Sequence, residues 1–249
     1  MAFTGWLVVF AVGGARFVWP GPAWLGIAAS VILVTAMSGL LARASARGDL
    51  SIVGPVYALS PIFTIVPDAL LSGTLPSPLG WVGVGLAVTG TVGLSRGNAA
   101  GGSLRALFRR RDALDALLAA IFLGMLSAVD RWGALTLGPP TYLLCSHGIT
   151  ASVNVAVALV RTPAALAATL TATNLVTVLS HGVLGLSGTA MQTSALTLAP
   201  ASYVNAVRRL SGLIAVLLGG ALFREADVGR RLTAAVLAGA GAMCLLLAR

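Results

Sequence analysis

Two adjacent arginines, Arg208 and Arg209, lie inside a long apolar stretch that covers roughly residues 202–223. A charge at mid-membrane costs roughly 2.5–3.5 kcal/mol on insertion scales, so a pair needs an inward partner or an aqueous cavity. Asn205 lies one helical turn earlier, on the face of Arg209. These residues either anchor the helix and pair with a neighbouring helix, or receive the carboxylate or phosphate of a solute.

The acids that could balance these arginines are few. Asp68 and Asp130 lie near the ends of two other apolar stretches, at an expected depth similar to that of Arg208. Asp130 is followed directly by Arg131, which can already neutralise it. Asp68 is therefore the predicted counter-ion of the arginine pair.

Other polar side chains within apolar stretches complete the candidate site. A polar group that faces lipid costs several kcal/mol, so Tyr57 and Ser60 should turn toward the interior. His181 occurs in the tripeptide SHG, where an intramembrane histidine either packs through a hydrogen bond or relays protons. The predicted solute-binding residues are Arg208, Arg209, Asn205, Tyr57, Ser60, Asp68 and His181.

The sequence contains no pattern that assembles catalytic or metal-binding groups. It has no HxxE, CxxC or paired-carboxylate pattern for a metal ion or for general acid–base chemistry. Its glycine-rich stretches lack the lysine of a phosphate-binding loop, because the chain has no lysine at all. We therefore predict neither an enzyme nor a site for a cofactor or metal.

The elements that must position these residues are apolar helices. Only 9% of residues are charged, against about 25% in soluble domains, and 57% are hydrophobic. Most apolar stretches approach the ~20 residues that a helix needs to cross a bilayer. They cover roughly residues 3–19, 23–41, 52–71, 79–94, 114–135, 142–160, 174–197, 202–223 and 232–247. The sequence predicts an all-α, polytopic helix bundle of about nine transmembrane helices, in contact with the lipid bilayer.

The arginines explain the net charge of +9 and are distributed unevenly. If the spans alternate in direction, most of them fall on one side, which the positive-inside rule makes cytoplasmic. The triplet at 109–111 is then a topology anchor that contacts lipid headgroups. This distribution predicts a multi-pass protein of the cytoplasmic membrane, with the N-terminus inside, and it speaks against nucleic acid as a partner.

The chain also repeats itself at an offset of 151 positions, which pairs Ser51 with Ser202 and Gly90 with Gly241. A segment with linker character, residues 97–112, lies between the copies. We predict a first half at 1–96 with four spans and a second half at 113–249 with five. Duplicated halves are a common design of secondary transporters.

With these features the chain resembles the EamA-type branch of the drug/metabolite transporter superfamily. The second copy carries LLGGALFREADVGRRLTAAVLAGAG, with Glu225 in the turn between two spans. The resemblance implies two five-helix halves in inverted orientation. This chain departs from it at Thr74, which replaces the turn glutamate in the first copy, and in having four spans before the linker, as if the family's first helix were missing.

The resemblance and the midplane polar groups together predict a secondary transporter or exporter of a small organic solute by alternating access. The arginine pair favours an amino-acid-like or organic anion solute through Coulomb attraction in a low-dielectric cavity. The alternative is a non-transporting membrane scaffold or lipid-handling subunit. Assembly into a homodimer is left open.

Overall fold

The regular structure of the chain is helical throughout the residues that the computed structural model describes. These are residues 19–48, 50–95, 111–163, 172–208 and most of 236–248. After a 3-10 turn at Gly21–Ala23, the helices are α1 (Trp24–Arg47), α2 (Leu50–Tyr57), α3 (Ser60–Ser72), α4 (Pro78–Ser95), α5 (Arg111–Leu137), α6 (Pro139–Arg161), α7 (Ala172–Leu198) and α8 (Ala201–Arg208).

Three of the described segments are long and apolar enough to cross a membrane: Gly21–Arg47, Arg111–Leu137 and Pro139–Arg161. Ser60–Ser72 and Pro78–Gly90 are shorter apolar helices. The predicted helical bundle is therefore confirmed for the described residues, and these three helices have the length and composition that a membrane span requires. The number of nine spans stays a prediction, because the first predicted span and much of the last two lie outside the described residues.

The third apolar stretch, predicted as one helix over residues 52–71, forms two helices that are separated by Ala58 and Leu59. Pro61 explains the interruption. It has no N–H to donate to the Tyr57 carbonyl, and its ring would crowd that carbonyl in a continuous helix. The Leu59 N–H donates to the Val56 carbonyl at 3.2 Å, which closes a turn of the four residues 56–59.

A single residue, Gly138, connects α5 to α6. Its backbone has φ 76° and ψ 148°, a conformation that glycine adopts at little cost and other residues do not. Pro139 and Pro140 follow in the first turn of α6, where a missing N–H is tolerated. Helix α6 therefore begins directly after α5, with Gly138 as the one connecting residue.

The chain divides into two compact units. Unit 1 comprises residues 1–32 and 129–198, and unit 2 comprises residues 33–128 and 199–249. Each unit contains segments from both predicted halves. The division into compact units therefore differs from the division into sequence repeats. The predicted boundary stays a prediction, since the linker up to residue 110 lies outside the described residues.

Each unit has its own apolar core. In unit 1, Tyr142 packs with Ile27 and Leu137, and the Trp132 ring lies so close to α1 that any side chain at Gly26 would collide with it. In unit 2, α4 packs against Tyr203 of α8 and against Leu245. These cores hold the helices that carry the buried polar residues described next.

Candidate functional site

Unit 2 contains a buried polar cluster made of Ser60, Thr64, Ser127 and Asn205, here called the Asn205 cluster. Asn205 Nδ2 donates hydrogen bonds to Thr64 Oγ1 at 2.9 Å and to Ser127 Oγ at 2.8 Å. Thr64 Oγ1 in turn donates to the Ser60 carbonyl, and Ser127 Oγ to the Leu123 carbonyl. The cluster thus joins α3, α5 and α8 through side chains that are almost inaccessible to solvent.

Three polar residues of α3 recur at every fourth position and are buried: Ser60, Thr64 and Asp68. This spacing places them on one face of the helix, and all three are at most 1% exposed. The face lies against α8, where Thr64 meets Asn205 and Asp68 meets the helix start. This spacing is visible in the sequence, although Thr64 was not among the predicted site residues.

Asp68 receives the backbone N–H of Ala201 on its Oδ2 at 2.8 Å. Because Ala201 is the first residue of α8, the carboxylate lies at the positive end of that helix dipole. Arg208, its predicted counter-ion, is the last described residue of α8, about 10 Å further along at 1.5 Å per residue. The structure thus gives Asp68 a helix-start contact, and its pairing with the arginines stays a prediction.

The remaining predicted site residues differ in their exposure and in the unit to which they belong. Tyr57 ends α2, half-buried, with its hydroxyl 3.5 Å from Met37 Sδ. Arg208 is exposed, and Arg209 lies outside the described residues. His181 is exposed on α7 and belongs to unit 1, whereas the other described candidates belong to unit 2. Unit 2 therefore brings together Ser60, Asp68 and Asn205 along the contact of α3 with α8.

Ser202 is a further polar residue on α8 that the list of predicted site residues omitted. It is 1% exposed, and its hydroxyl has no hydrogen-bond partner among the described residues. Buried hydroxyl groups in proteins are nearly always paired, so each exception calls for an explanation. Its position beside Ala201 places this hydroxyl next to the contact between Asp68 and the start of α8.

Unit 1 contains a second polar cluster, here called the Asp130 cluster, which consists of Ser30, Asp130 and Tyr142. Ser30 Oγ donates to Asp130 Oδ1 at 2.7 Å, and the Tyr142 hydroxyl donates to the same oxygen at 2.5 Å. Arg131, only 7% exposed, directs its Nε to the Leu196 carbonyl of α7 at 3.0 Å. The sequence indicated Arg131 as the partner of Asp130, but it gave no signal for the two hydroxyl groups.

A cavity of about 470 Å³ lies in unit 1 between the start of α6 and the middle of α7. Its walls are mostly apolar and include Pro139, Leu186 and Ala190, with Ser194 as one of two polar residues. Such a lining suits a hydrocarbon group better than a charged one.

Within the described part of the chain, no group of three or more histidine, cysteine or acidic residues converges as a metal site would require. Cys145 and Cys244 are both free thiols. The chemistry that these clusters offer is hydrogen bonding and charge, without a nucleophile beside a base.

The chain matches no protein-family model and no curated protein. Among solved structures, fourteen chains match it. One, described as "Crystal structure of protein", superimposes with a TM-score of 0.74 at 18% sequence identity, covering 99% of this chain and 85% of that chain. This chain is therefore similar in fold to a solved protein along nearly its whole length, and at this identity the likeness concerns the fold alone.

Proposed function

We propose that this chain is an integral membrane secondary transporter or exporter of a small organic metabolite, an EamA-type protein of the drug/metabolite transporter superfamily. Its nine spans form two inverted halves in the cytoplasmic membrane, and the solute crosses by alternating access. Three helices that are long and apolar enough to span a bilayer support the membrane part of this proposal.

The interruption between α2 and α3 is the observation that carries the transport proposal. Irregular backbone inside an apolar stretch is tolerated where it is buried in protein or lines a polar cavity. Interrupted helices are also the usual place of solute sites in secondary transporters. Here Tyr57 and Ser60 flank the interruption, and the Asn205 cluster begins at Ser60.

The proposed solute is an amino-acid-like molecule or an organic anion. Arg208 and Arg209 supply the positive charge, while Asn205, Tyr57 and Ser60 supply neutral polar groups. Asp68 completes the proposed set by balancing the arginines or receiving the amino group of a zwitterion, and a role for His181, which belongs to unit 1, stays a prediction from the sequence. A cationic solute should be a poor substrate, because the arginine pair repels it.

Solute-dependent protection against thermal unfolding tests this proposal. L-Glutamate and succinate should raise the Tm of the purified protein, since a ligand at 100 times its Kd adds about 2.7 kcal/mol of stability. Arg208→Gln combined with Arg209→Gln should abolish the protection. Arg161→Gln, at the exposed end of α6, is the matched control and should retain it.

Transport in proteoliposomes provides the contradicting outcome. Robust uptake of quaternary ammonium dyes that is unaffected by the double arginine substitution would show that the arginines are structural. Arg208 and Arg209 would then not select the solute by its charge.

Lipid handling by a non-transporting subunit is the second candidate function, and the apolar cavity of unit 1 favours it. An acyl chain fits walls of this composition. Ala190→Trp would fill the cavity. If this variant loses co-purified lipid without any change in solute counterflow, lipid binding in the cavity is supported. If the unmodified protein shows no counterflow at all, lipid handling becomes the better candidate function.

A further inference from the structure

The Asp130 cluster holds a carboxyl group inside an apolar helix that is long enough to span a membrane. Its two hydroxyl donors come from different helices, Ser30 from α1 and Tyr142 from α6, and both reach Oδ1 of Asp130 on α5. Tyr142 is fully buried and Asp130 half-buried. A carboxyl group in this setting is costly to keep charged, so intramembrane acids are functional candidates by default.

The choice of partners matters because a hydroxyl group can donate or accept a hydrogen bond. Ser30 and Tyr142 donate to the carboxylate, and by rotating they can accept from the protonated acid. Hydroxyl partners therefore keep the cluster hydrogen-bonded with and without a proton on Asp130.

Other charged and titratable groups surround the cluster. From α6 they are Tyr142 itself and Cys145, which packs against the apolar core that contains Tyr142. From α5 there is Arg131, whose Nε is bonded to the Leu196 carbonyl. From α1 the contact is Ser30, which does not titrate. Arginine keeps its proton in proteins, and a carboxyl group ordinarily releases its proton far more readily than a tyrosine hydroxyl or a cysteine thiol. Within this described set, Asp130 is therefore the residue best suited to exchange a proton.

We propose that Asp130 is the proton-binding site that couples solute movement to a proton gradient, with Ser30 and Tyr142 as its positioning residues. This inference rests on the proposed transport function. A proton from water on one side forms an O–H bond with the carboxylate, and that bond breaks when the site opens to the other side. The only co-reactant is the proton itself.

An infrared titration tests the proton site without any solute. Protein in lipid, titrated with acid, should develop the C=O stretching band of a protonated carboxylic acid, and Asp130→Asn should remove that component. Asp115→Asn is the matched control on the same helix, because that carboxylate lies 3.9 Å from the Arg47 guanidinium and should leave the component unchanged. The same band in Asp130→Asn as in the unmodified protein would overturn the assignment.

Two further variants keep the carboxyl group in place in case Asp130→Asn fails to fold. Tyr142→Phe and Ser30→Ala each remove one hydroxyl from Oδ1, so the C=O band should move to higher frequency as the hydrogen bonding weakens. An unchanged band in both variants would also overturn the assignment.

Proteoliposomes test the coupling, with radiolabelled L-glutamate as the probe. A pH gradient should drive glutamate accumulation by the unmodified protein. Asp130→Asn should abolish the accumulation and retain counterflow, which needs no net proton movement. Three results would each overturn the coupling role. The unmodified protein could show accumulation that does not respond to the pH gradient, or Asp130→Asn could still accumulate glutamate when a gradient is applied. The third such result is loss of counterflow in Asp130→Asn.

The infrared titration and the proteoliposome measurements together distinguish failure of the proton site at Asp130 from failure of the proposed transport function. A missing infrared component alongside normal counterflow rejects the proton site alone. A clear component without counterflow or thermal protection by any tested solute rejects the transport function, and the coupling role with it.

Discussion

Asn205 uses both hydrogens of its amide group inside the protein, although it was predicted to contact a solute. The two bonds connect it to Thr64 and Ser127, whose own hydroxyl hydrogens are directed to backbone carbonyls. Its amide therefore sets how α8 lies against α3 and α5. A residue with this role determines the shape of a site even where it contributes only its carbonyl oxygen to a solute.

We expect Asn205→Ala to destabilise the protein by about 2–3 kcal/mol. The substitution removes two buried hydrogen bonds of about 1 kcal/mol each and leaves a small cavity. Thermal unfolding in detergent measures the loss. Asn154→Ala, at an exposed position of α6, is the control and should change stability little. Equal effects of the two substitutions would contradict the role of the cluster.

Single residues also show where sequence reasoning ends. Arg208 stood out because a charge is rare within an apolar stretch, and Asn205 because it precedes that charge by one turn. The pairing of Asn205 with Thr64 and Ser127 joins residues far apart in the chain, and local periodicity carries no information on such contacts. The hydroxyl partners of Asp130 were beyond prediction for the same reason.

At the scale of elements, hydropathy locates helices well and their ends poorly. The stretch predicted at 114–135 is α5, Arg111–Leu137, and the stretch at 142–160 is α6, Pro139–Arg161. Both helices extend into polar or proline-containing turns that an apolar window leaves out. The interruption before Ser60 was not predicted, because hydropathy reports only that the stretch is apolar. It does not report that Pro61 prevents a continuous helical backbone there.

Pro61→Ala should allow α2 and α3 to form one helix, since residue 61 regains an N–H for the Tyr57 carbonyl. We expect stability to be kept or raised, while glutamate counterflow falls severalfold because the interruption beside the Asn205 cluster is lost. Pro67→Ala, inside α3, is the control on the same segment and should affect counterflow less. Equal counterflow in both variants would argue against a functional interruption.

The contact between α4 and the helical residues around Gly241 depends on the absence of a side chain. A Cβ on Gly241 would collide with the backbone of Ala87 and Gly83. We expect Gly241→Ala to cost about 1–3 kcal/mol through overpacking, measured by thermal unfolding. Gly239→Ala is the matched control, since a Cβ there meets open space, and it should stabilise by up to about 1 kcal/mol. Destabilisation by both would point to the membrane environment rather than to this contact.

At the scale of the whole molecule, the arginines predict how the chain is oriented. In a background without Cys145 and Cys244, a cysteine at Ala100 in the linker should resist impermeant thiol reagents in intact cells. A cysteine at Leu75, 69% exposed between α3 and α4, should react. Permeabilised cells provide the control, because both sites should then be labelled. The reverse pattern would support the opposite orientation.

The one-residue connection at Gly138 has a consequence for how the protein is made. In the proposed topology, a single residue cannot reach across the headgroup region, so α5 and α6 must reverse direction at one membrane surface. In that topology we expect residues 111–161 to enter the bilayer together, as one pair of connected helices. Asp130, half-buried near this connection, then has the Tyr142 hydroxyl on the helix that enters with it, whereas the Leu196 carbonyl that accepts from Arg131 arrives later with α7.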